Sequence, residues 1–125
     1  MKSYLEEEPE WNYLNQEVEK IVIGDEVTTI GDGAFMYFTN VNEVKLGDSI
    51  EYIGARSFDF CTSLTTINFP NKIKYIGNFA FNNTILHSSN GFILPEGLIY
   101  IGNSAFHSQP KCCVLRLRDL VLNFG

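Results

Sequence analysis

The chain is poor in the side chains that commonly perform chemistry. It contains two histidines, three cysteines and one tryptophan among 125 residues. The odd number of cysteines, with Cys112 and Cys113 adjacent, leaves at least one thiol free, which favours a reducing environment or buried thiols. No stretch approaches the roughly 20 consecutive apolar residues of a membrane-spanning helix. We therefore expect neither a disulfide framework nor a membrane span.

Basic residues are also scarce. Nine Lys and Arg face fifteen Asp and Glu, giving a net charge of −6, which argues against a nucleic acid or an anionic membrane held by electrostatics. The acidic residues crowd the first 26 positions, at Glu6, Glu7, Glu8, Glu10, Glu17, Glu19, Asp25 and Glu26. Two interpretations stay open for this segment: a solvated acidic surface, or a docking surface for a basic partner.

No recognisable catalytic or metal-binding motif is present. His87 and His107 lie outside the regular repeat, and neither pairs with a nucleophile in a known pattern. His107 with Cys112 and Cys113 lacks the second pair of ligands that a structural zinc site requires. We expect no enzyme, no cofactor and no metal site.

What the chain has in abundance is repetition. The hexapeptide Ile-Gly-x-x-(Ala/Ser)-Phe occurs at residues 30–35, 53–58, 76–81 and 101–106, at intervals of 23, 23 and 25 residues. A repeat period in the twenties predicts a solenoid, in which each coil buries its apolar face against the next.

A second pattern runs in phase with the hexapeptide. It reads Val18-x-x-Ile21-x-Ile23, Val41-x-x-Val44-x-Leu46 and Leu64-x-x-Ile67-x-Phe69, and continues as Phe92-x-Leu94 and Cys112-x-x-Leu115-x-Leu117. The alternation predicts strands of three or four residues with one buried face, ended by Gly-Asp or Pro turns. Stacked in register, these strands would form one narrow parallel sheet, and the hexapeptides would form short helical turns with their phenylalanines inward.

The N-terminal residues fit the frame less well. Residues 1–10 are interpreted as a polar lead-in, and residues 11–125 as one repeat domain with four to five repeats, the last incomplete. A short helical cap is predicted over residues 10–16, in which Trp11 covers the open end of the first coil.

Together these patterns resemble a known repeat. The run Leu64-x-x-Ile67-x-Phe69-Pro70-x-x-Ile73-x-x-Ile76-Gly77-x-x-Ala80-Phe81 is similar to the 23-residue BspA-like, or Treponema-type, leucine-rich repeat. The resemblance covers roughly residues 11–110. It implies an α/β solenoid coiled in the right-handed sense, and a bacterial or protist surface protein with adhesion or host-contact roles. The chain shows no signal peptide, so a cytoplasmic protein or a fragment of a secreted one also fits.

Two departures interrupt the period. The third interval has two extra residues within residues 82–91, which form either a bulge or a projecting contact loop. Residues 121–125 align with Ile50-Glu51-Tyr52-Ile53-Gly54, so the last repeat stops half-way. An open strand edge there predicts self-association through the C-terminal coil, as a homo-oligomer.

The repeat frame also shows which residues stand outside. One column on the sheet contains Val22, Lys45, Asn68, Ile93 and Arg116, and a second contains Tyr52, Tyr75 and Tyr100. Variable outward residues on a fixed scaffold are typical of a recognition face, although any exposed column is free to vary. Stacked tyrosines form either a packing ladder or a contact stripe with large amphipathic area.

The leading hypothesis is a non-catalytic interaction or adhesion module. It would present the sheet face to a protein or a cell-surface macromolecule through Lys45, Asn68, Ile93, Arg116, Tyr52, Tyr75 and Tyr100. The alternative is a structural spacer within a larger protein or assembly, with no specific ligand.

Overall fold

The computed structural model describes residues 1–86, 92–107, 113–117 and 120–124. These contain one short 3₁₀ helix and ten strands, of which eight have only two or three residues. The strands are β1 Lys20–Val22, β2 Thr29–Ile30, β3 Glu43–Lys45, β4 Tyr52–Ile53, β5 Thr66–Ile67, β6 Tyr75–Ile76, β7 Phe92–Ile93, β8 Tyr100–Ile101, β9 Cys113–Leu117 and β10 Leu120–Phe124. They pair into three narrow sheets whose order follows the repeat.

The first sheet confirms the short strands predicted from the alternating pattern. Strands β1, β3 and β5 lie parallel, and their register joins each residue to the one 23 positions later, as in Ile21↔Val44↔Ile67. The inward residues Ile21 and Val44 are buried, while Val22 and Lys45 between the buried positions are exposed. The period therefore sets both the register and the face of each residue.

A second parallel sheet, which the sequence patterns did not predict, is built from β2, β4, β6 and β8. It pairs Ile30, Ile53, Ile76 and Ile101, the first residues of the hexapeptides. The 25-residue interval does not disturb it, because Tyr75 still pairs with Tyr100. The extra residues are thus absorbed elsewhere in the coil.

The prediction of one continuous sheet along the first face is wrong. Strands β7, β9 and β10 form a separate sheet, and β5 is not paired with β7 in the described residues. The break falls where the third interval is longer, immediately before β7. Most of the segment that carries the extra length, residues 87–91, lies outside the described residues.

The hexapeptides do not form the predicted helical turns. Their N–H groups alternate between two partners: Ala34 bonds back to the Gly31 carbonyl, whereas Gly33 and Phe35 bond to Ala55 and Ser57 of the next coil. The backbone bends at a residue with positive φ twice in each of the first three coils and once in the described part of the fourth. These residues are Gly33, Tyr37, Arg56, Phe60, Phe79, Asn83 and Ser104. An α-helix cannot form because every second amide is turned towards the neighbouring coil.

The core lies between these layers and is organised by a phenylalanine column. The rings of Phe35, Phe58, Phe81 and Phe106 stack at centroid separations of 5.3–5.4 Å, with interplanar angles of 17° or less. Buried isoleucines of both sheets surround it. Because each ring touches the ring above and below, the column couples every coil to its neighbours.

The N-terminal end is closed without the predicted helical cap. No helix spans residues 10–16; only Asn12–Leu14 form a 3₁₀ turn. Trp11 nevertheless covers the end of the phenylalanine column, since its ring stacks on Phe35 at 5.5 Å and its Nε1–H donates to the Ala34 carbonyl at 2.8 Å. The indole provides the closure that a longer helix would otherwise supply.

Residues of the predicted lead-in also contact the first coil. The Tyr4 N–H donates to the Asp32 carbonyl, the Tyr4 ring packs edge-on against Trp11 at 5.3 Å, and Pro9 is buried. The backbone passes so close to Gly31 that a Cβ there would overlap the Lys2 carbonyl. A domain boundary at residue 11 stays a prediction.

The C-terminal strands depart from the expected repeat. β9 pairs in parallel with β7 as predicted, but β10 turns back and pairs antiparallel with β9, joining Val121 to Arg116. Residues 121–124 therefore do not repeat the role of residues 50–53. The edge of β9 that would have been open is occupied by β10.

Candidate interaction surface

The outward column of the first sheet is partly committed to contacts within the chain. Lys20 and Glu43, two residues before Val22 and Lys45 on β1 and β3, form the ion pair expected from their register, at 3.3 Å. Both side chains are well exposed, so the pair adds little to stability. Val22 and Lys45 remain exposed, Val22 at 62%.

Asn68 has a structural role that its position alone did not reveal. Its side-chain amide mimics a strand: Oδ1 accepts the Leu46 N–H at 2.7 Å and Nδ2 donates to the Leu46 carbonyl at 2.9 Å. The side chain thus extends the pairing between β3 and β5 beyond Ile67. Its atoms are engaged within the chain, so a substitution at Asn68 would test stability as well as binding.

The last two residues of this column lie in the separate C-terminal sheet. Ile93 on β7 pairs with Arg116 on β9. They neighbour one another as the repeat predicts, but β7 does not continue the sheet that carries Lys45. The five-residue column is therefore not one continuous surface.

The tyrosine stripe, defined as Tyr52, Tyr75 and Tyr100, is continuous. These residues pair directly across β4, β6 and β8. Their rings stack at 4.6 Å in both steps, with interplanar angles of 6° and 10°. Tyr52 and Tyr75 are half-buried and Tyr100 is 41% exposed. The structure thus brings together three of the predicted site residues as one ordered aromatic edge.

Polar side chains of the hexapeptides hold the hydroxyl ends of the stripe. The Tyr52 hydroxyl donates to Asp32 Oδ1 at 3.5 Å, and the Tyr100 hydroxyl donates to Asn78 Oδ1 at 3.4 Å. Burial, followed by the nearby Asp32 carboxylate, raises the pKa of Tyr52 above its ordinary value. Tyr52 therefore stays neutral at physiological pH and presents a hydroxyl, not a phenolate.

The stripe also has an apolar neighbour that was not predicted. Ile99 precedes Tyr100 and is 78% exposed, although the equivalent residues on the preceding coils are Glu51 and Lys74. An isoleucine among charged residues in the same column is the sequence signal that could have found it. Ile99 therefore adds an exposed apolar side chain directly before the last tyrosine of the stripe.

Comparison with known families decides the nature of the repeat. The family model described as a BspA type leucine rich repeat region matches residues 10–121, in six copies. The chain belongs to the BspA-type leucine-rich repeat family. Repeats of this family generally mediate protein interaction and are typically non-enzymatic. No curated protein and no solved structure gives a significant match.

The family model counts six BspA-type copies, whereas the hexapeptide spacing predicted four to five repeats. The family assignment confirms the resemblance read from the residues. The handedness of the coil stays a prediction. Within the described residues, none of the helices has the length and apolar character needed to cross a membrane.

A second aromatic surface lies where the BspA-type coils turn, and sequence reasoning missed it. Tyr37 and Phe60 stack at 5.1 Å and are 50% and 36% exposed, while the Arg56 guanidinium lies over the Phe79 ring at 4.3 Å. All four residues have positive φ. Positive φ is uncommon for bulky side chains, so the repeat phase alone gave no reason to place aromatic rings here.

The titratable groups inside the BspA-type coils serve structure. Asp59 is fully buried and its Oδ2 accepts from Arg56 Nη1 at 2.9 Å, but Oδ1 has no partner among the described residues. Burial raises the pKa of Asp59, an effect that the Arg56 guanidinium partly opposes.

Cys61 is buried and donates its thiol to the Phe35 carbonyl at 3.2 Å. Burial raises the pKa of Cys61 to about 12. A thiol in this state is a poor nucleophile and a poor metal ligand. In the described ranges, no three His, Cys, Asp or Glu side chains are grouped so as to hold a metal ion.

Proposed function

We propose that this BspA-type repeat protein is a non-catalytic interaction module that contacts a protein partner through the tyrosine stripe and Ile99. The observation that carries the proposal is the continuous stack of Tyr52, Tyr75 and Tyr100 at 4.6 Å on one sheet. Family membership supports the general role, and the stripe supplies the surface.

The geometry of the stripe suits binding for two physical reasons. Tyrosine offers a large amphipathic contact area with only two rotatable side-chain bonds, so little conformational entropy is lost on binding. Here each ring is already held by its neighbours in the stack, and two hydroxyls lie beside Asp32 and Asn78. A surface ordered before binding avoids part of the cost of ordering it during association.

Ile99 adds an exposed apolar side chain at the Tyr100 end of the stripe. Its side chain is 78% exposed beside Tyr100, so its burial by a partner would add about 1–2 kcal/mol of favourable transfer free energy. Aromatic residues with adjacent aliphatic side chains form the buried centre of many protein interfaces. Lys45 and Val22, on the other sheet, offer no comparable continuous surface.

The proposal can be tested by site-specific photo-crosslinking. A photoreactive residue at position 99 should capture a partner from extracts of the source cell or its surroundings, and the same residue at position 22 should not. The captured protein would then be titrated calorimetrically against Ile99→Ser and Tyr100→Ala variants. We expect about tenfold weaker binding for each, because each removes a large side chain of the proposed contact surface.

Lys45→Ala and Val22→Ser serve as matched exposed controls on the first sheet. Both should bind with unchanged affinity. If these two variants lost the partner while Ile99→Ser kept it, the recognition face would be the first sheet and the tyrosine stripe would be ruled out.

A spacer without a ligand is the second candidate, and one observation favours it. Many predicted surface groups are satisfied within the chain: Lys20 with Glu43, Asn68 with Leu46, and the tyrosines with one another. A spacer predicts that neither position 99 nor position 22 captures any protein. A role in adhesion at the cell surface, implied by the resemblance, stays a proposal, as does self-association, for which the outer edge of β10 would be the pairing edge.

A further inference from the structure

A small pocket at the N-terminal end of the coils lies away from the tyrosine stripe. Its volume is about 250 Å³, and its walls include Tyr4, Glu8, Pro9, Asn12, Asn15 and Tyr37. Residues from the acidic N-terminal segment therefore line the same pocket as Tyr37, which lies two residues beyond the first hexapeptide. This N-terminal pocket is large enough for one side chain and too small for a drug-sized ligand.

The aromatic wall is the exposed face of Tyr37. One face of this ring stacks on Phe60 of the next coil at 5.1 Å. No ring among the described residues continues the stack on the other side, and Tyr37 remains 50% exposed. The same tyrosine lines the N-terminal pocket.

Tyr37 has an unfavourable backbone conformation for an aromatic residue. Its φ is 66°, a left-handed conformation that is unfavourable for bulky side chains. The equivalent residue two coils later is Asn83, with φ 58° and a side chain better suited to this conformation. Phe60, one coil later, has the same conformation with φ 60°, so the repeat imposes it at this position of the coil whatever the side chain.

The charge around the N-terminal pocket is negative. Glu8 is the one charged residue in its walls, and the amides of Asn12 and Asn15 add further acceptors. The nearest lysine in sequence, Lys2, is engaged with Glu7 at 3.7 Å and with the Tyr4 ring at 5.5 Å. An aromatic face beside a carboxylate is the arrangement that attracts a cation.

We propose that the N-terminal pocket receives a lysine or arginine side chain of a partner polypeptide. The cation would lie over the free face of Tyr37, with Glu8 as its counter-charge and the Asn12 and Asn15 amides as acceptors. This inference rests on the proposed interaction role in that the ligand is a polypeptide, and it adds the chemistry of the partner. It uses a different surface from the tyrosine stripe, so either one can fail without the other.

The experiment is a calorimetric titration of the full chain with a pentalysine amide, at low and at physiological salt. Tyr37→Asn removes the ring and eases the backbone strain, so the fold should be retained. We expect it to weaken binding about fivefold or more, as loss of a cation–π contact predicts. Glu8→Gln should weaken binding similarly and reduce its salt dependence.

Two control variants separate the pocket from general effects. Phe60→Asn removes the stacked ring next to Tyr37 without touching the pocket walls, and it should bind like the native chain. Glu51→Gln removes the same amount of charge as Glu8→Gln on another face, and it should also leave affinity unchanged. The melting temperature of each variant shows whether the coils remain intact.

Several results would overturn the proposal. One is that the native chain does not bind pentalysine, and another is that it binds free choline but not the peptide. The proposal would also fail if Glu51→Gln lowered the affinity for pentalysine as much as Glu8→Gln does. It would fail in the same way if Phe60→Asn lowered that affinity as much as Tyr37→Asn does. Failure of photo-crosslinking at Ile99 would count against the tyrosine stripe alone, and would leave the pentalysine result standing.

Discussion

The side chains that follow the hexapeptide glycines form a hydrogen-bonded series with one member missing. Asp32 Oδ1 accepts the Ala55 N–H of the next coil, and Asn78 Oδ1 accepts the Asn103 N–H, both at 2.8 Å. Ala55 lies between them and has no side-chain acceptor. The Asn78 N–H is therefore left without a partner among the described residues. We predict that Ala55→Asn supplies the missing bond and stabilises the protein.

The magnitude follows from the neighbouring coils. A net gain of about 1 kcal/mol is expected for one intramolecular hydrogen bond in a partly buried site. Space is available, because Gly77 covers Ala55 as Gly102 covers Asn78, and a glycine there accommodates the side chain below it. The new amide oxygen would also offer the Tyr75 hydroxyl the kind of acceptor that Asn78 offers Tyr100. A gain of this size should raise the melting temperature by roughly 2–8 °C.

The assay is thermal and urea unfolding of Ala55→Asn beside Asn78→Ala. Asn78→Ala removes the existing bond to Asn103 and should cost about 1 kcal/mol. Opposite shifts of similar size are expected from the two variants. If Ala55→Asn left stability unchanged or lowered it while Asn78→Ala was destabilising, the coils would not be equivalent at this position and the reasoning would be refuted.

Two further predictions concern the glycines and the buried acid. Gly77→Ala should lower the free energy of unfolding in urea by about 3 kcal/mol, because the added Cβ would lie 2.5 Å from the Ala55 nitrogen. Gly24→Ala should change stability little, because a Cβ there meets open space. Similar losses for both variants would contradict the close packing of the coils. Burial raises the pKa of Asp59, so the folded state favours the protonated carboxyl group. The contribution of Asp59 to the free energy of unfolding should therefore be complete at acid pH and decline from about pH 4 upward. Asp59→Asn should abolish that decline, so its urea midpoint should exceed that of the native chain at pH 7 but not at pH 4; a lower midpoint at pH 7 would mean that the ion pair with Arg56 dominates.

Much of the scaffold is predictable because its residues repeat with a physical period. The alternation around Ile21 and Val44 indicates a strand, and the recurring phenylalanine indicates a core column; both occur in the structure. The second sheet escaped prediction because strands such as Thr29–Ile30 have only two residues, too few to show an alternation. The turns escaped because a left-handed backbone at Arg56 or Phe79 is imposed by pairing between coils and not by the residue itself.

The candidate site also has parts that could be predicted from the sequence and parts that could not. The tyrosine stripe follows from the period, because residues one repeat apart must lie side by side. The role of Asn68 does not, since the period gives the direction of a side chain but not its hydrogen-bond partner. The N-terminal pocket could not be found at all, because most of its walls come from residues before the first full repeat.

The unbroken pairing of β6 with β8 across the 25-residue interval has a consequence for engineering. Tyr75 still faces Tyr100, and the Asn83 N–H still reaches the His107 carbonyl, although two residues have been added between these coils. The second sheet therefore keeps its register across a change of chain length between Leu86 and Phe92, whereas the first sheet is interrupted there. A foreign peptide or reporter grafted between these two residues should therefore leave the pairing of β6 with β8 intact.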